Sequence, residues 1–517
     1  AHKVTPSVGP EQEYFLVDRE KYLKRRDLIY TGRTLFGAPA PKGQELDDQY
    51  FGVIRERVGA FMKDLNVELW KLGIPATTQH NEVAPAQHEM APIYSMCNLA
   101  VDQNQLAMET MKRVATRHGL VCLLHEKPYA GVNGSGKHNN WSIGTDTGEN
   151  LLDPGDTPNE NMQFLLVLSC IMRAVDRHAD LLRQSASCVG NEHRLGAQEA
   201  PPAIISIFLG DQLDDVVSQI VSNADSIKLL TSSGLDTGVS TVPVIKKDAT
   251  DRNRTSPFAF TGNKFEFRMP GSAQNLSDVN MALNTAMAKS LKEFADQMEG
   301  KTGEEFEAAA IDYIKRTLRD HERIIFNGDG YSEEWEKEAE RRGLANHRTT
   351  ADALPCFVAP KSIALFEELG VLSEAEVRSR YEVKLEKYNK LLNIEARTMK
   401  RMVRRAYLPA INGYAAEVAR GITAVRAAAA GVEVGQQEAL LRKLLAGVKE
   451  IDAQLQALDA AHHAALELVD QQQRANKYAH EIVPIMEKLR AAVDEMEIVT
   501  DRDHWPVPTY NDMLFYV

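Results

Sequence analysis

An α+β fold, with helices packed on one side of a largely antiparallel sheet and an all-α segment added near the C-terminus, is the class this sequence predicts. Three observations predict it. Stretches of helical and strand periodicity interleave as far as residue 270, whereas from 278 onward the pattern is mainly helical. The candidate strands are short, and the last of them, "KFEFRMP" at 264–270, alternates with period two. Between 395 and 499 the texture changes: Ala and Gln become frequent, and apolar residues recur every third or fourth position.

The elements follow in order. "EYFLV" at 13–17 reads as a strand, and residues 48–73 as a helix closing on Gly73. Residues 98–118 carry apolar side chains at helical spacing, and "LVCLL" at 120–124 is a short buried strand. A strongly apolar helix spans 161–188, followed by the loop "VGNEHRLGAQEAPPA" and the strand "IISIFLG" at 204–210. Residues 211–255 show no firm period, although "STVPVI" at 240–245 suggests a strand. Later, Leu441, Leu445, Val448, Ile451, Leu455 and Leu458 mark one face of a long helix, and Pro484 is expected to start or kink the helix that runs to about 498. The region 395–499 thus reads as a helical hairpin or bundle without candidate chemistry, set between a catalytic region at 1–394 and a tail at 500–517.

Composition narrows the function. The 517 residues exceed what one simple core accommodates, and the 44% hydrophobic and 26% charged shares are those of a soluble globular protein. A net charge of -13 argues against nonspecific binding to nucleic acid or to an anionic membrane, both of which draw on an excess of Lys and Arg. Small-molecule substrates are the better match. Five widely spaced cysteines without a CxxC pair argue against a disulfide framework or a zinc ribbon. With no apolar run of about 18 residues and no signal-peptide pattern, the protein is expected in the cytoplasm. No dinucleotide-binding glycine motif, Walker motif or internal repeat occurs.

The residues that carry chemistry are mainly carboxylates. Glu82 and Glu89 in "HNEVAPAQHE" flank Pro85, which neither a helix interior nor a central strand tolerates well, so both sit on a bent backbone. In "EQEYF", Glu11 and Glu13 point to the same face of a strand, with their roots about 7 Å apart. "KFEFR" likewise puts Glu266 and Arg268 on one face and turns Phe265 and Phe267 to the core. In "NGSGKHNNWS", Gly134 and Gly136 permit positive φ and close approach of a ligand to backbone N–H groups, just before His138. Each pattern alone also describes an ordinary amphipathic strand or surface loop. Together Glu11, Glu13, Glu82, Glu89, His138 and Glu266 would give hard oxygen donors and one imidazole, a set suited to Mg²⁺ or Mn²⁺ rather than zinc.

The ordered series ExE, EVxPxQxE, NGSGxH, RLxxxEAP, NR and FEFR resembles the catalytic domain of the glutamine synthetase family. "HNEVAPAQHE", "NGSGKHNNWS", "NEHRLGAQEAPPAI" and "DRNRTSPFAFTGNKFEFRMP" look most like its large type III branch. The motifs cover about residues 8–290, the match continues more loosely to about 394, and "WPVPTYNDMLFYV" resembles the family's aromatic C-terminal ending. What the resemblance implies is ATP-dependent ligation of ammonia to the γ-carboxylate of L-glutamate through γ-glutamyl phosphate, with Mg²⁺ or Mn²⁺ in each active site. It implies that Glu13, Glu82 and Glu89 hold one ion and that Glu11, His138 and Glu266 hold another beside the ATP phosphates. Arg194 and Arg268 would fork onto the substrate's carboxylates, and Asn133 and Gly134 would help bind the amino acid. Arg254 and Lys264 would neutralise charge on the transferred phosphoryl group, Ser142 would lie near the nucleotide, and Glu199 would take a proton from ammonium.

The same resemblance implies a homo-oligomer, a dodecamer of two stacked six-membered rings, and an N-terminal β-grasp domain that is not in this sequence, where ten residues precede Glu11. Five residues separate Arg194 from Glu199 where better-known branches have six, Ala259 stands near where another Arg is expected, and Asn140 replaces a His of one branch. Two rival readings share the motifs. One is a γ-glutamyl ligase that takes another amine, such as a polyamine; the other is a catalytically silent ring or regulatory component.

Overall fold

Nine strands form one sheet among the described residues of this computed structural model, which are 1–222, 253–429 and 431–515. They are β1 (Val4–Asp18), β2 (Ala76–Asn81), β3 (Gln87–Pro92), β4 (Ser95–Met96), β5 (Leu120–Leu123), β6 (Lys137–Thr145), β7 (Ile207–Phe208), β8 (Phe258–Phe260) and β9 (Phe265–Phe267). The order is β2-β3-β1-β6-β9-β8-β7, with β4 and β5 also paired to β1. Every pairing is antiparallel except β7 with β8, as the sequence predicts. The strand suggested at 240–245 lies outside the described residues.

Strand alternation divides the sheet into two faces. Val8, Tyr14, Leu16, Trp141, Phe265 and Phe267 point to the back, where they are buried among helices. Met162–Arg177, Ser277–Met298 and Gly303–Asp320 cover one part of that back face, and Glu56–Lys71 and Cys97–Arg117 cover the other. The front face carries Glu11, Glu13, His138, Asn140 and Glu266, with Phe15 and Val17 packed at its far end. The long helices therefore lie on one side of the sheet, and the part of the opposite side not covered by Leu28 and by the C-terminal Tyr510–Leu514 is free to form a cleft.

Several boundaries differ from the sequence pattern for local reasons. The helix expected over 48–73 occupies only Glu56–Lys71, because residues before it turn so tightly that a Cβ on Gly52 would stand 2.4 Å from the Asp48 carbonyl oxygen. The helix expected over 161–188 breaks at His178 into Met162–Arg177 and Ala179–Ser185. The strand at 204–210 shrinks to two residues.

The long helical region begins before residue 395: helix Glu374–Met402 runs through that position and continues by a π turn at Val403–Tyr407 into Leu408–Ala428. Gly435–Glu467, Gln471–Lys477 and Val483–Val499 complete an arm whose core includes Leu444, Ile451, Leu455, Leu458, Leu489 and Val493. On the 435–467 helix the stripe uses Leu444 in place of Leu445, which is 52% exposed. Pro484 sits in the first turn after a π turn at Tyr478–Ile482, where a missing N–H costs little. The tail returns to the front of β1. Tyr510 packs edge-on to Tyr129 and its hydroxyl accepts the Ala130 N–H at 2.9 Å, beneath the loop that leads to Asn133. Among the described residues no helix is long and apolar enough to cross a membrane.

Candidate active site

Register alone lines up the acids on the front face. Glu13 of β1 pairs with Glu89 of β3, which in turn faces His80 of β2. Glu11 pairs with His138 of β6, and Asn140 of β6 pairs with Glu266 of β9. These strands are consecutive neighbours, so their alternate side chains form a row across the sheet. Glu82 joins them from the turn after β2, where the Glu82 N–H donates to the Gln87 carbonyl and Ala86 takes a φ of 62°. Pro85 thus lies in a tight reversal, and the chain comes back in time to present Glu89.

All the acids open into a cleft of about 270 Å³ whose walls include Asn133, Gly134, Arg194, Glu199, Arg254, Lys264 and Arg268. Ser142 lies apart from these, in an adjoining cleft of about 550 Å³ that shares Glu11, Asn140 and Lys264 with the first. The structure therefore gathers the residues singled out by the sequence into two connected spaces.

Among the described residues two groups have metal-ligand spacing. Donor atoms of Glu11, His138 and Glu266 lie within 4.8 Å of one another, and so do those of His80, Glu82 and Glu89. Glu13 stands beside the second group: its Oε2 accepts the Gly136 N–H at 2.5 Å. His80 is closer, with Nε2 2.9 Å from Glu89 Oε1 and Nδ1 3.5 Å from Glu82 Oε1. Oxygen donors with a single imidazole in each group fit a hard divalent ion such as Mg²⁺ or Mn²⁺.

The electrostatics separate the two groups. His138 sits 3.0 Å from Glu11 and 2.9 Å from Glu266. Burial opposes its charge, but both carboxylates hold it well above the usual imidazole range, and it holds them below theirs despite their own burial. In the second group the acids outnumber the cation. Burial, then the charges of Glu13 and Glu89, push the Glu82 carboxyl up to about 9, and Glu89 is raised by burial and by Glu11 and Glu13. His80, hydrogen-bonded to Glu89, is itself raised to about 9. A site that retains protons in this way has charge to offer a cation.

Around these groups the remaining residues are already engaged. Asn133 Nδ2 donates to Glu199 Oε2 at 2.9 Å, and Arg254 donates to Glu199 Oε1 at 2.5 Å. Arg194, buried, donates to the carbonyls of Arg268 and Met269, and Arg268 donates to Glu266 Oε2 at 2.9 Å and to the Asn253 carbonyl. The glycines serve a purpose other than the one read from sequence. Neither Gly134 nor Gly136 has positive φ; a Cβ on Gly134 would lie 2.4 Å from the Glu126 carbonyl oxygen, and one on Gly136 2.2 Å from Arg194 Nη2. They are needed so that Arg194 can lie against the loop.

Sequence reasoning passed over His80 and Gln44, and singled out Asn140 only as a departure from the family pattern. His80 stands in the same decapeptide as Glu82 and Glu89, and its spacing of two from Glu82 is the signal that singled out Glu11 and Glu13. Asn140 bonds Glu11 Oε1 at 2.8 Å and the Gly9 carbonyl at 3.0 Å, orienting the carboxylate. Gln44 clasps Asn133, donating to its Oδ1 at 2.7 Å and accepting its backbone N–H at 2.8 Å. No pattern in the aperiodic segment around Gln44 marks it.

A family profile described as "Glutamine synthetase, catalytic domain" matches residues 1–176, and one described as "Glutamine synthetase C-terminal domain" matches residues 309–426. The chain is 45% identical to "Type-3 glutamine synthetase" of Dictyostelium discoideum, over 99% of its own length and 70% of that protein's. It is 44% identical to a "Glutamine synthetase" of Butyrivibrio fibrisolvens, over 99% and 73% of the two chains. A third, from Bacteroides fragilis strain YCH46, shares 42% identity over 99% and 72%.

Proposed function

The chain belongs to the glutamine synthetase family, and from that premise we propose how its clefts make glutamine: ATP-dependent ligation of ammonia to the γ-carboxylate of L-glutamate by way of γ-glutamyl phosphate. The observation that carries this reading is the convergence, on one sheet face, of two groups with metal-ligand spacing beside Arg194, Arg254, Lys264 and Glu199. In the first step a γ-carboxylate oxygen attacks the γ-phosphorus of ATP and ADP leaves. In the second, ammonia attacks the acyl carbon and phosphate leaves. A carboxylate is a poor electrophile at neutral pH, so phosphorylation supplies the leaving group that the amide bond requires.

Each role has a physical basis. Divalent ions, Mg²⁺ or Mn²⁺, would be held by Glu11, His138 and Glu266 and by Glu82 and Glu89 with Glu13 or His80, and would screen repulsion between the anionic nucleophile and the γ-phosphoryl group. Arg194 and Arg268 face the amino acid's carboxylates, and Asn133 and Gly134 fix its position. Arg254 and Lys264 face the transferred phosphoryl group, and ATP takes the adjoining cleft beside Ser142, which supports the reading by sharing Glu11 and Lys264 with the first. Glu199 exchanges its present partners, Asn133 and Arg254, for the proton of the incoming amine.

The assembly we assign is the dodecamer of two stacked rings. It is supported by the apolar Leu46, Phe51 and Val53 beside the cleft, 73%, 82% and 89% exposed, which suit cover by a neighbouring subunit. The helical arm at 395–499 carries none of the site residues and is assigned to assembly, with 1–394 as the catalytic domain and 500–517 as the returning tail. The five cysteines are free, in keeping with the reducing cytoplasm. Measuring ADP, phosphate and amide product with ammonia and with a panel of amines including polyamines tests the proposal. Equimolar ADP and glutamine is the expected result. A preference for another amine would overturn the choice of nucleophile, and no glutamate-dependent ADP release would overturn the ligase chemistry.

A further inference from the structure

We propose that Lys127 is the positioning residue that straps the flap carrying Glu199 to the loop carrying Asn133, and that this strap decides whether the acyl phosphate meets ammonia or water. The proposal rests on the reading of Glu199 as the base. Lys127 Nζ donates both to the Val132 carbonyl oxygen and to Gln198 Oε1. Val132 directly precedes Asn133, and Gln198 directly precedes Glu199. One ammonium therefore ties together two neighbouring segments that both contribute to the cleft wall.

The flap needs such a tie. Gln198 and Glu199 have φ of 53° and 67°, two successive non-glycine residues in the left-handed region, a conformation that persists only where surrounding contacts impose it. Besides the strap, the flap is held by its own turn, with the Ala200 N–H donating to the Ala197 carbonyl at 3.1 Å and the Gly196 N–H to the Pro201 carbonyl at 2.9 Å, by Asn133 and Arg254 to Glu199, and by the Tyr331 hydroxyl to the Ala200 carbonyl at 2.8 Å. Asn133 and Arg254 line the cleft and are the groups that substrate would engage, so their hold on Glu199 is released as the site fills. Of the strap's members only Gln198 lines the cleft; Lys127 and the Val132 carbonyl lie behind its wall, so the anchored end of the strap is out of a ligand's reach.

The chemistry of Lys127 suits the task. Among the described residues no carboxylate forms an ion pair with it, so its charge is spent on two amide-type oxygens, and charge-assisted bonds of this kind are about twice as strong as neutral ones. Burial, with Arg194 nearby, brings its ammonium down to about 8, which leaves it cationic at neutral pH. A flap held shut over the acyl phosphate keeps water out until ammonia arrives.

The test uses the assembled enzyme and two separate variants, Lys127→Met and Gln198→Leu, with phosphate and glutamine counted in the same reaction. Wild type should release one phosphate per glutamine. Both variants should release about threefold more phosphate per glutamine at limiting ammonia, with KM for ammonia up by about tenfold and ATP affinity within about twofold of wild type. The double variant should be no worse than the more severe single one, because both remove the same contact. If Lys127→Met fails to assemble, Gln198→Leu, on the half-exposed flap, decides the matter. Wild-type stoichiometry in Gln198→Leu overturns the strap, since a lysine that only supports its own loop would not need Gln198. Glu199→Gln run alongside keeps the two readings apart: normal glutamine synthesis there sinks the base assignment, while the stoichiometries of the strap variants remain readable.

Discussion

In the cleft, five carboxylates and two histidines crowd one face of a sheet, and burial together with like charge raises Glu82 and Glu89 above the normal carboxylate range. In the helical arm the buried positions are mainly apolar, with Tyr407 and Tyr478 among them and His462 and Glu395 as polar exceptions, and most charges sit at the rim in pairs such as Arg404–Asp459 and Lys477–Glu481. The first region stores repulsion that a ligand can relieve; the second has little left to relieve. Substitutions in the cleft should therefore remove activity with little cost in stability, and those in the arm the reverse.

The largest effect expected is at the acids. Glu82→Ala or Glu89→Ala should lower divalent-ion-dependent activity by on the order of 100-fold or more, while the melting temperature of the metal-free protein holds or rises in Glu82→Ala, where a carboxyl disfavoured by burial and like charge is removed, and falls in Glu89→Ala, which also loses the hydrogen bond to His80. Titration of metal binding by calorimetry checks this, and unchanged affinity in both variants would remove them from the ligand set. Next comes Glu199→Gln, which keeps size and hydrogen bonding but removes the base. Glutamine formation should fall by about 10²- to 10⁴-fold, and formation of γ-glutamyl phosphate by much less. Equal losses in the two half-reactions would make Glu199 structural.

How much of this could be read from the sequence differs between the regions for the same reason. Glu11, Glu13 and Glu266 were legible because a strand's period of two announces which residues share a face. Their meeting was not, because it depends on the pairing of β1 with β3 and β6 and of β6 with β9, contacts between residues more than 70 positions apart. Only the family resemblance bridged that distance. In the arm the apolar stripe predicted burial well, yet it could not tell Leu444 from Leu445, since neighbours on a helix differ by only 100° and the packing partner decides. The break at His178 and the clasp of Gln44 on Asn133 carry no periodic signal and appear only in three dimensions.

A middle-sized effect should come from the arm's core. Leu455 is 3% exposed and packs within the apolar core of the arm. Leu455→Ala should cost about 2–5 kcal/mol of local stability through the lost burial and the cavity left behind. KM for glutamate and ATP should stay within about twofold, because none of the cleft residues belongs to that core. Chemical denaturation and steady-state kinetics on the same preparation decide it. Weakened ATP binding with normal stability would break the contrast between the two regions.

The smallest effect sharpens the contrast by its sign. In the arm, Lys400 Nζ donates to His462 Nδ1 at 2.9 Å, so that nitrogen must carry a lone pair, and Nε2 donates to Asn393 Oδ1 at 2.8 Å. The ring is therefore neutral. Burial, then the charges of Lys400 and Arg397, lower it to about 4, with Asp459 opposing and His463 adding. An unfolded chain takes up that proton near 6.5, so between about 6.5 and about 4 the unfolded state binds more protons and stability falls as pH falls. In the metal-free cleft the sign is opposite: His80, raised to about 9, contributes stability that is complete below about 6.5 and is lost as pH rises through 9. Lowering pH from 7 to 5 should thus reduce the melting temperature of wild type by about 1–2 °C more than that of His462→Gln, which stays neutral throughout. Other buried imidazoles, such as His88 and His178, titrate in both proteins and cancel in the difference. Parallel pH dependences in the two proteins would mean that His462 already shares its proton with Asp459, and that the arm, like the cleft, holds a charged histidine.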